Sequence, residues 1–152
     1  MLFIRHTRWP LRLNDLRDGN QQDATDGGAK PDGIWFSVGD GADWRALVSR
    51  RWSLDDIEYW TEMIFCETAN ILRVENAAAL DALTAKYTLA RNDGKQSIDW
   101  CRIAEQFAGI IISPLCVERC NYKPTRWYEC WEVACGCVWQ AKAVRCLHAL
   151  NY

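Results

Sequence analysis

The sequence predicts an α+β domain, with a small mixed or antiparallel split β-sheet core and two to three helices. Three observations lead there. Short apolar runs of roughly four to six residues, rich in aromatic and β-branched types, recur between Gly and Pro punctuation, as in Gly33-Ile34-Trp35-Phe36-Ser37-Val38-Gly39. Helical spacing of apolar residues appears in separate segments, most clearly over 77–87. No internal repeat, linker or low-complexity tract divides the 152 residues, so residues 1–152 read as one domain large enough for a sizeable core.

Leu2 to Thr7 reads as a first strand, with Leu2, Ile4 and His6 on one face and Phe3, Arg5 and Thr7 on the other. Pro10 ends it. Residues 14–33 are polar and Gly-rich, a loop of the length that often serves as a lid. The strand 34–38 follows, and the rest of the chain is organised around it. Ile34, Phe36 and Val38 share one face, while Trp35 and Ser37 share the other.

The Asp40–Asp43 turn caps a helix over roughly 43–51, with Trp44, Leu47 and Val48 inward. A turn at 53–56 leads to an apolar segment over 57–66, read as a strand, and then to a short strand at 69–74. Asn76 caps the Ala/Leu-rich helix 77–87. After the turn at 92–95, Ser97 opens a further helix with Asp99 in its first turn, and Gly109 stops it. Ile110-Ile111-Ile112 is a buried strand ended by Ser113-Pro114. A last long strand is expected over 127–139, with a tail around Cys146-Leu147-His148 that frays.

Composition narrows the function classes. Eighteen basic against twenty acidic residues give a net charge of −2, so there is no global footprint for non-specific nucleic-acid binding. Arg5 and Arg8 interrupt any amino-terminal apolar core, and no run approaches a membrane span. The expectation is a cytoplasmic protein without a membrane partner. Eight Cys are then read as thiols rather than disulfides. Cys116, Cys120, Cys130, Cys135 and Cys137 lack a standard zinc spacing, which argues against a metal site.

Four features carry possible chemistry. Trp35 beside Ser37 can form half of a slot for a flat, amide-bearing ring. Arg5 offers a fork for phosphate or carboxylate, and His6 a donor at neutral pH. Glu129 and Glu132 place acidic groups in an otherwise apolar stretch, and strand parity would put them on opposite faces. At most one of them then serves a cleft.

The order of these features resembles that of small ADP-ribosyltransferase-fold proteins: a basic first strand, a Gly-Ile-Trp-Phe-Ser second strand after a polar loop, and a late acidic stretch. The glutamates stand as Glu129-x-x-Glu132 where that family has Glu-x-Glu. The resemblance implies NAD as substrate and a macromolecular acceptor, protein or nucleic acid, as for a toxin or phage effector. It implies Glu132, or failing that Glu129, holding the ribose and steadying its positive charge. Ser37 would bond the ribose or the amide, Trp35 or Trp44 would stack on the ring, and Arg5 or His6 would anchor a phosphate or ribose oxygen. The rival expectation is a non-enzymatic inhibitor or adaptor docking through a Trp-rich surface, since nine Trp are present.

Overall fold

The computed structural model describes residues 1–24, 28–51, 57–91, 93 and 95–150. The expected turn at 53–56 and parts of the loops at 25–27 and 92–94 lie outside these residues.

Nine strands and three α-helices form among the described residues. In chain order they are β1 (Phe3–Thr7), β2 (Ile34–Val38), α1 (Ala42–Arg51), β3 (Tyr59–Phe65), β4 (Ile71–Val74), α2 (Ala77–Tyr87), β5 (Thr88–Ala90), β6 (Gln96–Ile98), α3 (Trp100–Ala104), β7 (Gly109–Ile112), β8 (Cys135–Val138) and β9 (Val144–Leu150). Seven strands make one mixed sheet in the order β4-β7-β8-β2-β1-β3-β9, and β5 pairs with β6 separately. The core is thus one continuous sheet with a small accessory hairpin, rather than a split sheet. Only β4 and β7 run parallel, and α2, the hairpin and α3 form the long crossover that a parallel pair requires.

The sheet has a core on each face. Ile110 and Ile112 join Trp100, Trp127, Trp131 and Cys137 on one side, and Ile111 joins Phe36, Met63 and Val138 on the other. A strand buried on both faces explains the unbroken Ile run. Gly136 is required where β8 crosses β2 and β7, because a Cβ there would lie 2.4 Å from the Phe36 ring and 2.6 Å from the Ile110 carbonyl oxygen.

Helix α2 is the clearest local reading. The Asn76 side chain accepts from the Ala79 amide at 2.9 Å, and Leu80, Leu83, Thr84 and Tyr87 are buried. Replacing Asn76 by Ala should lower stability by about 1 kcal/mol in a denaturant titration, the usual value of a lost N-cap.

Three expectations change. Ser97 lies in β6, and Asp99 is the cap of α3, accepting from the Arg102 amide at 3.0 Å. The long strand at 127–139 is a 3-10 stretch (Lys123–Cys130), a bend and the short β8. Pro124 stands in its first turn, and Trp127 and Tyr128 on it and Trp131 at its C-cap are buried with helical rather than alternating spacing. The carboxyl-terminal segment does not fray: β9 pairs with β3 from Trp60↔Leu150 to Phe65↔Val144.

The 14–33 loop is pinned to the body along its described part. Gln21 is buried, its Nε2 donating to the Asp32 carbonyl at 2.7 Å and its Oε1 accepting from the Asp32 amide at 3.2 Å. Gly19 donates its amide to the Trp139 carbonyl at 3.0 Å. No helix among the described residues is long and apolar enough to cross a membrane.

Candidate functional site

A cleft of about 300 Å³ opens between β1, β2 and the segment leading into β8, with α1 along one side. The volume is at the lower end for a small-molecule site. Arg5, His6, Trp35, Ser37, Trp44 and Glu132 all line it. These six come from four stretches of chain.

Pairing explains the convergence. Ile4 stands opposite Ser37 in the antiparallel β1–β2 pair and opposite Glu62 in the β1–β3 pair. Period two then puts His6, two residues on, on the face of Ser37 and Trp60. Trp35 and Ser37 share that face, while Phe36 turns to the opposite core and meets Phe3 at 5.5 Å. Arg5 has the wrong parity for the cleft but the longest side chain. Its registered pairing with β2 has already ended at Ile4, and its Nη1 reaches the Trp35 carbonyl at 2.7 Å.

His6 is held on three sides. The ring stacks on Trp44 at 4.0 Å and 3°, meets Trp60 edge-on at 4.3 Å, and lies 3.1 Å through Nε2 from Ser37 Oγ. Gly41 makes room for it: at φ +78° it has no Cβ, and one placed there would come within 3.0 Å of Trp60 and 3.2 Å of His6 Cε1.

The hydroxyl of Ser37 fixes the tautomer. Its single proton goes to the Ile4 carbonyl at 3.1 Å, so it can only accept from His6, and Nε2 carries the ring proton. His6 Nδ1 is then a bare acceptor. Ser37 thus positions the His6 ring from the cleft lining.

Among the described residues, three buried side-chain polar atoms lack a partner: Arg5 Nε, His6 Nδ1 and Tyr87 Oη. Two of the three belong to residues of this cleft, one a donor and the other an acceptor. A buried polar atom without a partner costs about 1–3 kcal/mol, so a pair at one site calls for an explanation.

Burial, then the neighbouring guanidinium groups of Arg45 and Arg5, hold the His6 pKa down to about 4 from 6.5. The ring is therefore neutral at pH 7. Because the folded value lies below the unfolded one, His6 contributes stability above pH 6.5 that is lost as the pH falls toward 4. That contribution should be about 1–2 kcal/mol after allowing for the part of the ring that solvent reaches. A melting-temperature series from pH 7 to 4 should fall more steeply for the wild type than for His6→Gln. Arg5 is also shifted down, by burial. Burial pushes the Cys135 thiol, in the same cleft, up to about 12.

Glu129 falls outside the cleft. It sits on the 3-10 stretch, exposed, and pairs with Arg126 at 3.4 Å. The parity contrast between Glu129 and Glu132 does not hold because neither residue lies on a strand. Glu132 is an exposed carboxylate at the mouth.

No family model, curated protein or solved structure matches this chain.

Several site residues carry no local signal in the sequence. Trp131 lines the cleft and packs on Trp35 at 5.0 Å; Lys30 stands 5.7 Å over the Trp35 ring, and Arg45 4.5 Å over Trp60. The Gly-rich turn 39–41 is the one available pointer to Gly41. The Trp-rich surface needed by a docking protein is not formed among the described residues. Trp100, Trp127, Trp131 and Trp139 are buried, Trp35, Trp44 and Trp60 are half-buried, and only Trp9 is largely exposed. Trp52 lies outside those residues.

No three His, Cys, Asp or Glu side chains among the described residues come together to hold a metal ion. Cys146 and His148 do approach at 3.8 Å on β9, with Glu62 3.6 Å beyond, but neither of the two lines the cleft.

Proposed function

We propose that this protein cleaves NAD and transfers its ADP-ribose to a macromolecular acceptor. The observation that carries the reading is the lining of one aromatic-walled cleft, where Arg5, His6, Trp35, Trp44, Trp131 and the Glu132 carboxylate come together. A guanidinium donor and a neutral imidazole on one lining suit a carboxamide, which offers a carbonyl oxygen and an N–H group. Trp35, Trp44 and Trp131 supply flat apolar walls for the ring that bears it.

The cleft's size suits the nicotinamide and its ribose rather than the whole dinucleotide. Lys30, over the Trp35 ring in the lining, would meet a phosphate beyond. When the bond between ribose C1′ and the pyridinium nitrogen stretches, positive charge moves onto the sugar, as in glycoside cleavage. Glu132 would face that charge. Its carboxylate would stabilise the oxocarbenium-like ribose more than the ground state, which is the condition for faster chemistry. Neutral His6 would hold the amide without adding a repelling charge to the site.

Thermal denaturation with and without NAD tests the reading. Saturation at 100 times Kd adds about 2.7 kcal/mol, a rise of several degrees for a chain of this size. No rise at millimolar NAD, together with no release of nicotinamide, would sink the proposal.

A further inference from the structure

Glu62 and His148 stand directly opposite each other in the antiparallel β3–β9 pair, and Cys146 lies two residues before His148. Strand periodicity therefore puts all three on one face. Their side chains meet in a row. Cys146 Sγ lies 3.8 Å from His148 Nε2, and His148 Nδ1 lies 3.6 Å from the Glu62 carboxylate. β9 is the outermost strand of the sheet, with Cys146 half-buried and His148 exposed on it. A nucleophile, a base and a carboxylate behind the base are thus assembled on β3 and β9, and none of the three lines the cleft.

We infer that Cys146 is a site of thiol–disulfide exchange, which takes a small disulfide of the oxidised-glutathione class and becomes a mixed disulfide. The attacking species in such exchange is the thiolate, so a base set against the thiol governs how fast it reacts. With the ring proton on Nδ1 and turned toward Glu62, His148 Nε2 presents a lone pair to the sulfur. At 3.6 Å the carboxylate acts on the ring by charge, favouring that tautomer and offsetting the positive charge the ring gains. The other histidine, His6, is held by Ser37 in the cleft. Exchange suits an outer strand face because it needs only an approach to the sulfur and a base. Acyl transfer would also need donors fixed over the carbonyl oxygen.

The step balances with the disulfide as the oxidant. The Cys146 proton passes to His148 Nε2 as the sulfur attacks one sulfur of the disulfide. The S–S bond breaks, its electron pair leaves on the other sulfur, and that thiolate takes the proton from the ring. The Cys146 sulfur is oxidised, and one small thiol is released as the reduced product.

The test treats the reduced full chain with limiting oxidised glutathione and maps the adducts by mass spectrometry against time. Cys101, on α3, is the internal control, because it is exposed where Cys146 is half-buried. Exposure alone would label Cys101 first. Cys146 should instead react ~10-fold faster than Cys101. His148→Gln should slow Cys146 ~10-fold while Cys101 stays within ~2-fold, which also reports that the fold is kept. Glu62→Gln should slow Cys146 ~3-fold, and Glu62→Asp, which keeps the charge, should restore part of that loss. Cys146 reacting no faster than Cys101 in the wild type overturns the inference, whatever the variants do. So does an unchanged Cys146 rate in folded His148→Gln. NAD takes no part in these measurements, so this inference and the reading of the cleft stand or fall separately.

Discussion

Replacing Glu132 by Gln is expected to lower NAD turnover by about 10²–10³-fold, the range seen when one group that stabilises transition-state charge is removed. The amide keeps the size and loses the charge. Glu132 is exposed, so its removal should leave the melting temperature close to wild type. Glu129→Gln is the matched control. It removes a carboxylate three residues earlier, from a surface pair with Arg126, and should leave turnover within about twofold. Release of nicotinamide by both variants, alongside thermal melts, separates the outcomes. Equal losses in the two, or none in either, would show that Glu132 has no special role.

Trp127→Ala should cost about 3–5 kcal/mol, enough to unfold a marginal domain. Trp127 is 2% exposed and packs on Trp100, Tyr128 and Trp131 with ring centroids 5.6–6.2 Å away. Its indole N–H donates to Thr84 Oγ1 at 2.9 Å, tying the 3-10 stretch to α2. Truncation therefore opens a large cavity and breaks the link between two elements. Trp127→Phe should lose less, because most of the ring volume stays and Thr84 Oγ1 still donates to the Leu80 carbonyl at 2.9 Å. Urea titration of the two variants ranks them. A Trp127→Ala protein as stable as wild type would show that the indole cluster is not what holds this face.

These two residues also mark where sequence reasoning succeeds and where it stops. β2 is legible because Gly and Pro bracket a run too short for a helix, and α2 because Asn76 and the Leu80, Leu83 and Tyr87 spacing agree. The faces within β1 and within β2 follow from period two alone, while the Ile4↔Ser37 register is what brings His6, Trp35 and Ser37 to one side. The stretch 123–130 misleads because Trp127, Tyr128 and Trp131 look like strand residues by type, while Pro124 is the only local sign of a helical turn. β9 escapes notice because its partner β3 lies some eighty residues upstream and nothing in Cys146-Leu147-His148 announces it. The same blindness to register hides Trp131, which lines the cleft, and Trp60, which backs His6 from β3.

The outermost strand bears on the cleft from a distance. β9 flanks β3, and β3 carries the indole that wedges against His6. Proteolytic clipping after Ala143 would strip β3 of its outer neighbour and bare its unpaired amides and carbonyls to other chains. Loss of a carboxyl-terminal ribbon that touches no ligand would then loosen the imidazole and seed aggregation together.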